Sequence, residues 1–279
     1  MKKRFVIVMA LASAMVLALV ALAGCGGSQT EESSTGAVAT NKLIVGFDQE
    51  YPPYGYVGDD GEYTGFDLDL AKEVAQRNGW EIELQAIDWD AKDALLESGS
   101  INCIWNGFTQ EGREGQYAFS EPYMLNSQVI VVKADSDIKS FDDLADKIVV
   151  TQKGSAALEN LQTENADGGN KDLADTFKEL QTIADYNNAF MQLDSGVVDA
   201  VACDYSIAQY QMSANEGKYV QLETPLSEEH YAVGFKTDDT ATAQKVTDTL
   251  RDMYNDGTVE EICKKYEDQG LSFDNWILK

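Results

Sequence analysis

Histidine and cysteine are scarce: 279 residues hold one histidine, His230, and four cysteines. A single imidazole cannot build a zinc site. No two cysteines form a Cys-x-x-Cys pair, and Cys103, Cys203 and Cys263, the three beyond residue 25, are too few to pair completely. Cys103 and Cys203 sit in apolar, β-prone segments and read as small buried hydrophobes. With no Ser-His-Asp set and no metal cluster in view, no catalytic residue, cofactor or metal is expected. Basic residues are few as well, 21 Lys and Arg against 48 Asp and Glu, for a formal charge of −27. A surface so acidic repels nucleic acid and anionic headgroups, which excludes both as partners and serves solubility. Beyond a single apolar run near the start there is no stretch long enough to span a membrane, so no channel or sensor module is expected.

That one run is informative. Lys2-Lys3-Arg4 precedes apolar residues from Phe5 to Ala23, and Leu22-Ala23-Gly24-Cys25 follows. A cationic tip, an apolar stretch and small residues before a cleavage point describe an export signal. The Leu-Ala-Gly-Cys ending resembles the lipobox of bacterial lipoproteins, which implies cleavage before Cys25 and diacylation of that cysteine, palmitate included. Each buried methylene contributes ~0.8 kcal/mol, and two chains anchor stably. The expected location is the extracytoplasmic face of the cell membrane, with the lipid as the only membrane contact. Residues 1–24 are read as signal peptide. Residues 25–41, rich in Ser, Thr, Gly and Glu, are read as a flexible tether.

Removal of the first 24 of 279 residues leaves 255, and losing their three cations takes the charge from −27 to −30. That length suggests two lobes. Lys42–Phe47 is β-rich, Gly65–Gly79 reads as an amphipathic helix with Asp67 as its cap, Glu81–Ile87 alternates as a strand, and Asp90–Glu97 reads as a second helix. Ile101–Trp105 is a buried-type strand. Strands and helices alternate again from Ile148 to Met212, and the chain ends in a long helix around Val246, Leu250 and Met253 that returns to the first lobe. Such alternation implies parallel β-α-β units. Two β-prone runs, Gln128–Lys133 and Tyr231–Lys236, flank the second unit and would form a two-strand hinge. The expected division is residues 42–131 plus 232–279 for lobe 1 and 132–231 for lobe 2.

Four segments could hold a ligand. Asp48 and Tyr51 follow a strand's carboxyl end, where open α/β sheets bind ligands. Gly107 and Thr109 lead to Arg113, whose guanidinium is suited to clamping a carboxylate, while Gly107 permits close backbone approach. Gly154-Ser155 opens a helix and exposes free N–H groups. Asp204 ends an apolar strand and could take an ammonium group. Each has a plainer alternative: a turn aspartate, core tyrosines, a solvated arginine, helix caps at Ser155 and Asp204.

Together with Tyr51-Pro-Pro-Tyr54, Gly65-Phe-Asp-Leu-Asp-Leu-Ala71, Trp89-Asp90, Asn106-Gly-Phe-Thr109, Phe119-Ser-Glu-Pro-Tyr123, Gln152-Lys-Gly-Ser155, Val198-Asp-Ala-Val201 and Asp256-Gly-Thr258, these segments resemble the polar amino-acid class (family 3) of solute-binding proteins of ABC transporters. The resemblance runs in order from Lys42 to Trp276. It implies an α/β, type II periplasmic-binding-protein-like fold of two α/β lobes joined by a two-strand hinge. It implies that Arg113, with N–H groups near Ser155 and Ala156, grips the ligand carboxylate. Asp204, the Gly107 carbonyl and the Thr109 hydroxyl would take the ammonium group, and Asp48, Tyr51, Trp89 and Asn106 would line the rest. Two departures stand out: the Thr109-to-Arg113 spacing is one residue shorter than the family's commoner pattern, and Ala156 lacks the hydroxyl that many relatives carry there. The expected function is capture of a polar amino acid, preferably with an amide or cationic tip, and delivery to ABC transporter permease subunits. The protein is expected to be a monomer and not an enzyme. The alternatives are a ligand-sensing binding protein and a dehydratase-like enzyme on the same fold.

Overall fold

A computed structural model describes residues 41–279. The signal peptide expected at 1–24, the lipid expected on Cys25 and all but the last residue of the tether expected over 25–41 lie outside the described residues.

The chain opens with β1 (Lys42–Phe47), followed by a small antiparallel sheet of β2 (Glu50–Tyr51), β3 (Gly55–Val57) and β4 (Tyr63–Thr64). Next come α1 (Phe66–Asn78), β5 (Glu81–Ala86), a 3-10 turn at Trp89–Ala91, α2 (Lys92–Ser98), β6 (Cys103–Ile104) and β7 (Ala118–Phe119). The chain then enters a second sheet through β8 (Met124–Lys133) and continues with β9 (Ile148–Gln152), α3 (Ala156–Gln162), α4 (Lys171–Ala174) and β10 (Glu179–Ile183). There follow α5 (Tyr186–Ser195), β11 (Ala200–Asp204), α6 (Tyr205–Ala214), β12 (Tyr219–Gln221) and β13 (Ser227–Tyr231). It returns through β14 (Gly234–Phe235) and closes with α7 (Thr240–Asn255) and α8 (Thr258–Lys264).

The first sheet has the order β5-β1-β6-β14-β7, with β1 parallel to β5 and β6 and β14 antiparallel to its neighbours. The apolar run of β1 is the sequence mark of a strand covered on both faces. The second sheet has the order β10-β9-β11-β8-β12, and β13 also pairs with β8. Its strands β9, β10 and β11 are parallel, whereas β8 runs antiparallel to β11, β12 and β13. The chain crosses between the sheets twice, just before Met124 and just after Tyr231, and these two residues are register partners. The two crossings therefore lie side by side, an arrangement in which few backbone dihedrals absorb a rotation of one lobe against the other.

Three sequence expectations change. The run Gln128–Lys133 expected at the hinge lies inside the second sheet, paired with β11 and β12, and the crossing comes before Met124. Asp67 does not cap α1: the cap position is Gly65, with φ 138°, where a Cβ would lie 2.3 Å from the Tyr54 carbonyl oxygen. Asp67 sits in the first turn and faces inward, accepting the Gly107 N–H at 2.6 Å and the Tyr123 hydroxyl at 2.8 Å. The strand expected over 101–105 pairs only at Cys103–Ile104. The Asn102 side chain substitutes for ladder bonds, accepting from Ile44 N and donating to Lys42 O, each at 2.7 Å. Cys103, Cys203 and Cys263 are buried free thiols, in line with the reading of Cys103 and Cys203 as small apolar residues.

Candidate functional site

The carboxyl ends of β1, β9 and β11 converge on the cleft between the two sheets, and this geometry brings the four sequence segments together. Tyr51, Trp89, Gly107, Thr109, Arg113, Gln152, Ser155, Ala156 and Asp204 line one small cavity. Asp48 and Asn106, also expected at the site, support it from behind. Asn106 Oδ1 accepts the Asp48 N–H at 2.8 Å, and Asp48 accepts the Gln152 amide at 2.6 Å. Burial pushes the Asp48 carboxyl up to about 6, against the opposing hydrogen bonds from Glu50 N and Gln152.

The cleft is drawn shut by bonds that cross from one lobe to the other. Besides Gln152 to Asp48, Asn187 Nδ2 donates to Glu50 at 2.6 Å, Lys153 Nζ meets Asp90 at 2.7 Å, and Lys92 Nζ approaches the Gly154 carbonyl at 3.4 Å. Burial lowers the Lys92 pKa, and Asp93 opposes that shift.

At one end stands Arg113, only 5% exposed. Its Nη1 donates to the Thr109 carbonyl at 3.0 Å, its Nε lies 3.4 Å from Glu159, and its plane covers the Phe108 ring at 4.8 Å. These contacts fix the fork and leave further N–H groups for a planar anion. Opposite it, Ser155 caps α3 by accepting the Leu158 N–H at 3.1 Å, so the cap anticipated for it and the pocket position hold together. Gly107 bridges the two ends. Its φ is 56°, and a Cβ there would sit 2.9 Å from the Tyr51 ring and 3.2 Å from Tyr231. Both conformation and space demand glycine.

At the other end Asp204 accepts from Asn126 Nδ2 at 2.9 Å, Gln128 Nε2 at 2.8 Å and the Tyr231 hydroxyl at 3.0 Å, and Tyr231 contacts the Tyr51 hydroxyl at 3.2 Å. Asp204 stands at the cap position of α6 without a side-chain cap bond, so its oxygens serve the cleft. Burial raises its pKa, and these donors hold it partly down. The Thr109 hydroxyl donates to Glu229 at 2.7 Å, which leaves its oxygen lone pairs as acceptors.

Sequence reasoning missed two residues here. Gln152 stood inside a quoted motif without being given a role, and Glu229 was not considered. The signal for Glu229 was present: Glu229 and Tyr231 share one face of a strand by period two, and an acid on an inward face is out of place. The β-prone run evident in the sequence begins at Tyr231, four residues after β13 does.

Residues 43–269 match the family model for bacterial extracellular solute-binding proteins, family 3. The glutamate-binding protein GluB of Corynebacterium efficiens is 27% identical over 274 residues, covering 93% of this chain and 90% of that protein. The arginine-binding extracellular protein ArtP of Bacillus subtilis is 29% identical over 249 residues, covering 88% and 92%. Among solved structures, an ABC uptake transporter substrate-binding protein from Streptococcus pneumoniae with bound histidine superimposes with a TM-score of 0.75 at 32% identity, covering 81% of this chain and 92% of that one. The two lobes and their paired crossings are the type II periplasmic-binding-protein fold that the sequence resemblance implied. The chain belongs to the family 3 bacterial extracellular solute-binding proteins.

Proposed function

We propose that this protein captures one polar amino acid between its two lobes and delivers it to the permease of an ABC transporter. The observation that carries this is the pair of opposite charges, Arg113 and Asp204, buried in one small cavity and contributed by different lobes. A zwitterion satisfies both at once, so only a ligand that spans them stabilises closure. Arg113 and the N–H groups at Ser155 and Ala156 take the carboxylate. Asp204, the Gly107 carbonyl and the Thr109 oxygen take the ammonium group. Trp89 and Tyr51 flank the side chain, and Asp48 with Gln152 favours an amide or cationic tip. Binding without turnover is the function, since the site offers a clamp for each end of a zwitterion.

The protein acts as a monomer on the extracytoplasmic face of the membrane, held by acyl chains on Cys25. A thermal-shift screen over the twenty amino acids plus cystine and ornithine tests the central claim. A ligand at a hundredfold excess over Kd stabilises by about 2.7 kcal/mol, so one or a few amino acids should raise Tm by several degrees. A flat screen rejects the function. Cys25→Ser should release the protein from the membrane fraction, and retention there rejects the anchor.

A further inference from the structure

The wall behind Asp204 contains a second acid whose role the amino-acid clamp leaves open. β8 runs between β11 and β13, and its Asn126 and Gln128 project to one face. Gln128 is the register partner of Asp204 on β11, and Asn126 is the register partner of Glu229 on β13. Each amide donates to both acids: Asn126 to Asp204 at 2.9 Å and to Glu229 at 2.6 Å, Gln128 to Asp204 at 2.8 Å and to Glu229 at 2.7 Å. The amide oxygens of Asn126 and Gln128 are buried and have no partner among the described residues, so the acids alone account for how both NH2 groups are turned. Glu229 is 4% exposed and Asp204 equally so. Among the described residues neither forms an ion pair with Lys, Arg or His.

The other titratable groups nearby do not neutralise the pair. Tyr51, Tyr54, Tyr186, Tyr231 and Cys203 feel the charge of Asp204, and burial holds all five in their neutral forms at pH 7. Arg113 is engaged by the Thr109 carbonyl and Glu159, and His230 is paired with Glu111 at 2.6 Å. Asp48 lies on the facing lobe with Gln152. Two carboxylates that draw on the same buried donors cannot both ionise without a cation.

We propose that Asp204 and Glu229 share one proton in the unliganded protein, and that the ligand's ammonium group displaces it to solvent on binding. Asp204 makes the contact. Glu229 is a positioning residue that orients the Thr109 hydroxyl and sets how affinity depends on pH. Burial, and then the charge of Asp204, push Glu229 up to about 7, in the direction the geometry requires. The proposal rests on the amino-acid function above.

The test is calorimetry at pH 6.5 in buffers of different ionisation enthalpy, with L-arginine, L-glutamine and L-glutamate as probes. The wild type should release most of one proton per amino acid bound, and affinity should weaken by up to about tenfold for each pH unit below 7. Glu229→Gln should still bind and release little, with a flat pH profile. Because Asp48 also titrates near this range and belongs to the site, Asp48→Asn is run beside it and read as protons released per ligand bound, a ratio that should stay near the wild-type value even where affinity falls. Release unchanged in Glu229→Gln, or absent from the wild type, overturns the proposal while the amino-acid function stands. Should Glu229→Gln fail to fold, Asp48→Asn at saturating ligand and the wild-type count decide: ligand bound without release overturns it. Absence of binding by any probe or by the wider screen rejects the function, and this inference with it.

Discussion

The two ends of the cleft are built on different principles. The Arg113 end carries a permanent charge, stacked on Phe108 and steadied by one carbonyl and a half-exposed carboxylate. The Asp204 end holds two acids, two amides and a chain of tyrosine hydroxyls, all buried, without a single cation. Its charge is negotiable. One end therefore recognises by fixed geometry, and the other by a balance between burial and ionisation.

The largest effect that probes this contrast is Arg113→Ala. Truncating one partner of a buried charge pair costs about 2–5 kcal/mol, so affinity should fall at least thirtyfold, by the same factor at pH 6 and at pH 8. Calorimetry showing unchanged affinity defeats the two-ended clamp. A loss confined to one pH breaks the contrast instead.

Next comes the stability of the unliganded protein. Asp67, fully buried beside Gly107, is pushed up to about 7 by desolvation. A carboxyl whose folded pKa is raised contributes stability that is complete below its ordinary value near 4 and is lost as pH rises through 7. Denaturant unfolding should therefore show the wild type less stable at pH 8 than at pH 5. In Asp67→Asn that drop should shrink by up to about 3 kcal/mol. Because Asp67 lies outside the cavity lining, its pH effect should appear in unfolding and be weak in binding. An equal effect on both would merge what the contrast separates.

Gly107→Ala ranks third. A left-handed backbone and a 2.9 Å approach to Tyr51 predict a cost of about 1–3 kcal/mol. Surface plasmon resonance should register it as weaker amino-acid binding, since Gly107 packs against Tyr51 and Tyr231 beside the cavity. The smallest effect is Lys153→Ala, which removes an exposed bridge to Asp90 across the cleft. Such a pair is worth little in water, so affinity should change by no more than about threefold, less still in high salt.

Much of this was legible before the structure. Asp48, Arg113 and Asp204 announce themselves because each follows a β-rich run, and strand ends in α/β sheets are where ligands collect. Arg113 could be placed but not its Phe108 stack or its grip on Thr109. Asp67 was misread because Asp in a helix's first turn is the ordinary sign of a cap. Only the close packing of Gly65 against Tyr54 shows that a glycine holds that position. Glu229 is easily overlooked for a related reason. In a chain with 48 acids, one more acid in a strand looks like surface.

The amino-acid sequence alone determined the alternating α/β order, the buried faces of the helices and the strand ends that carry polar side chains. These are local matters of period and propensity, and they act over a few residues. The tertiary structure decided which acids meet. Asp204 and Glu229 are brought onto the same two amides by the register of three strands, and register depends on pairing across distant parts of the chain.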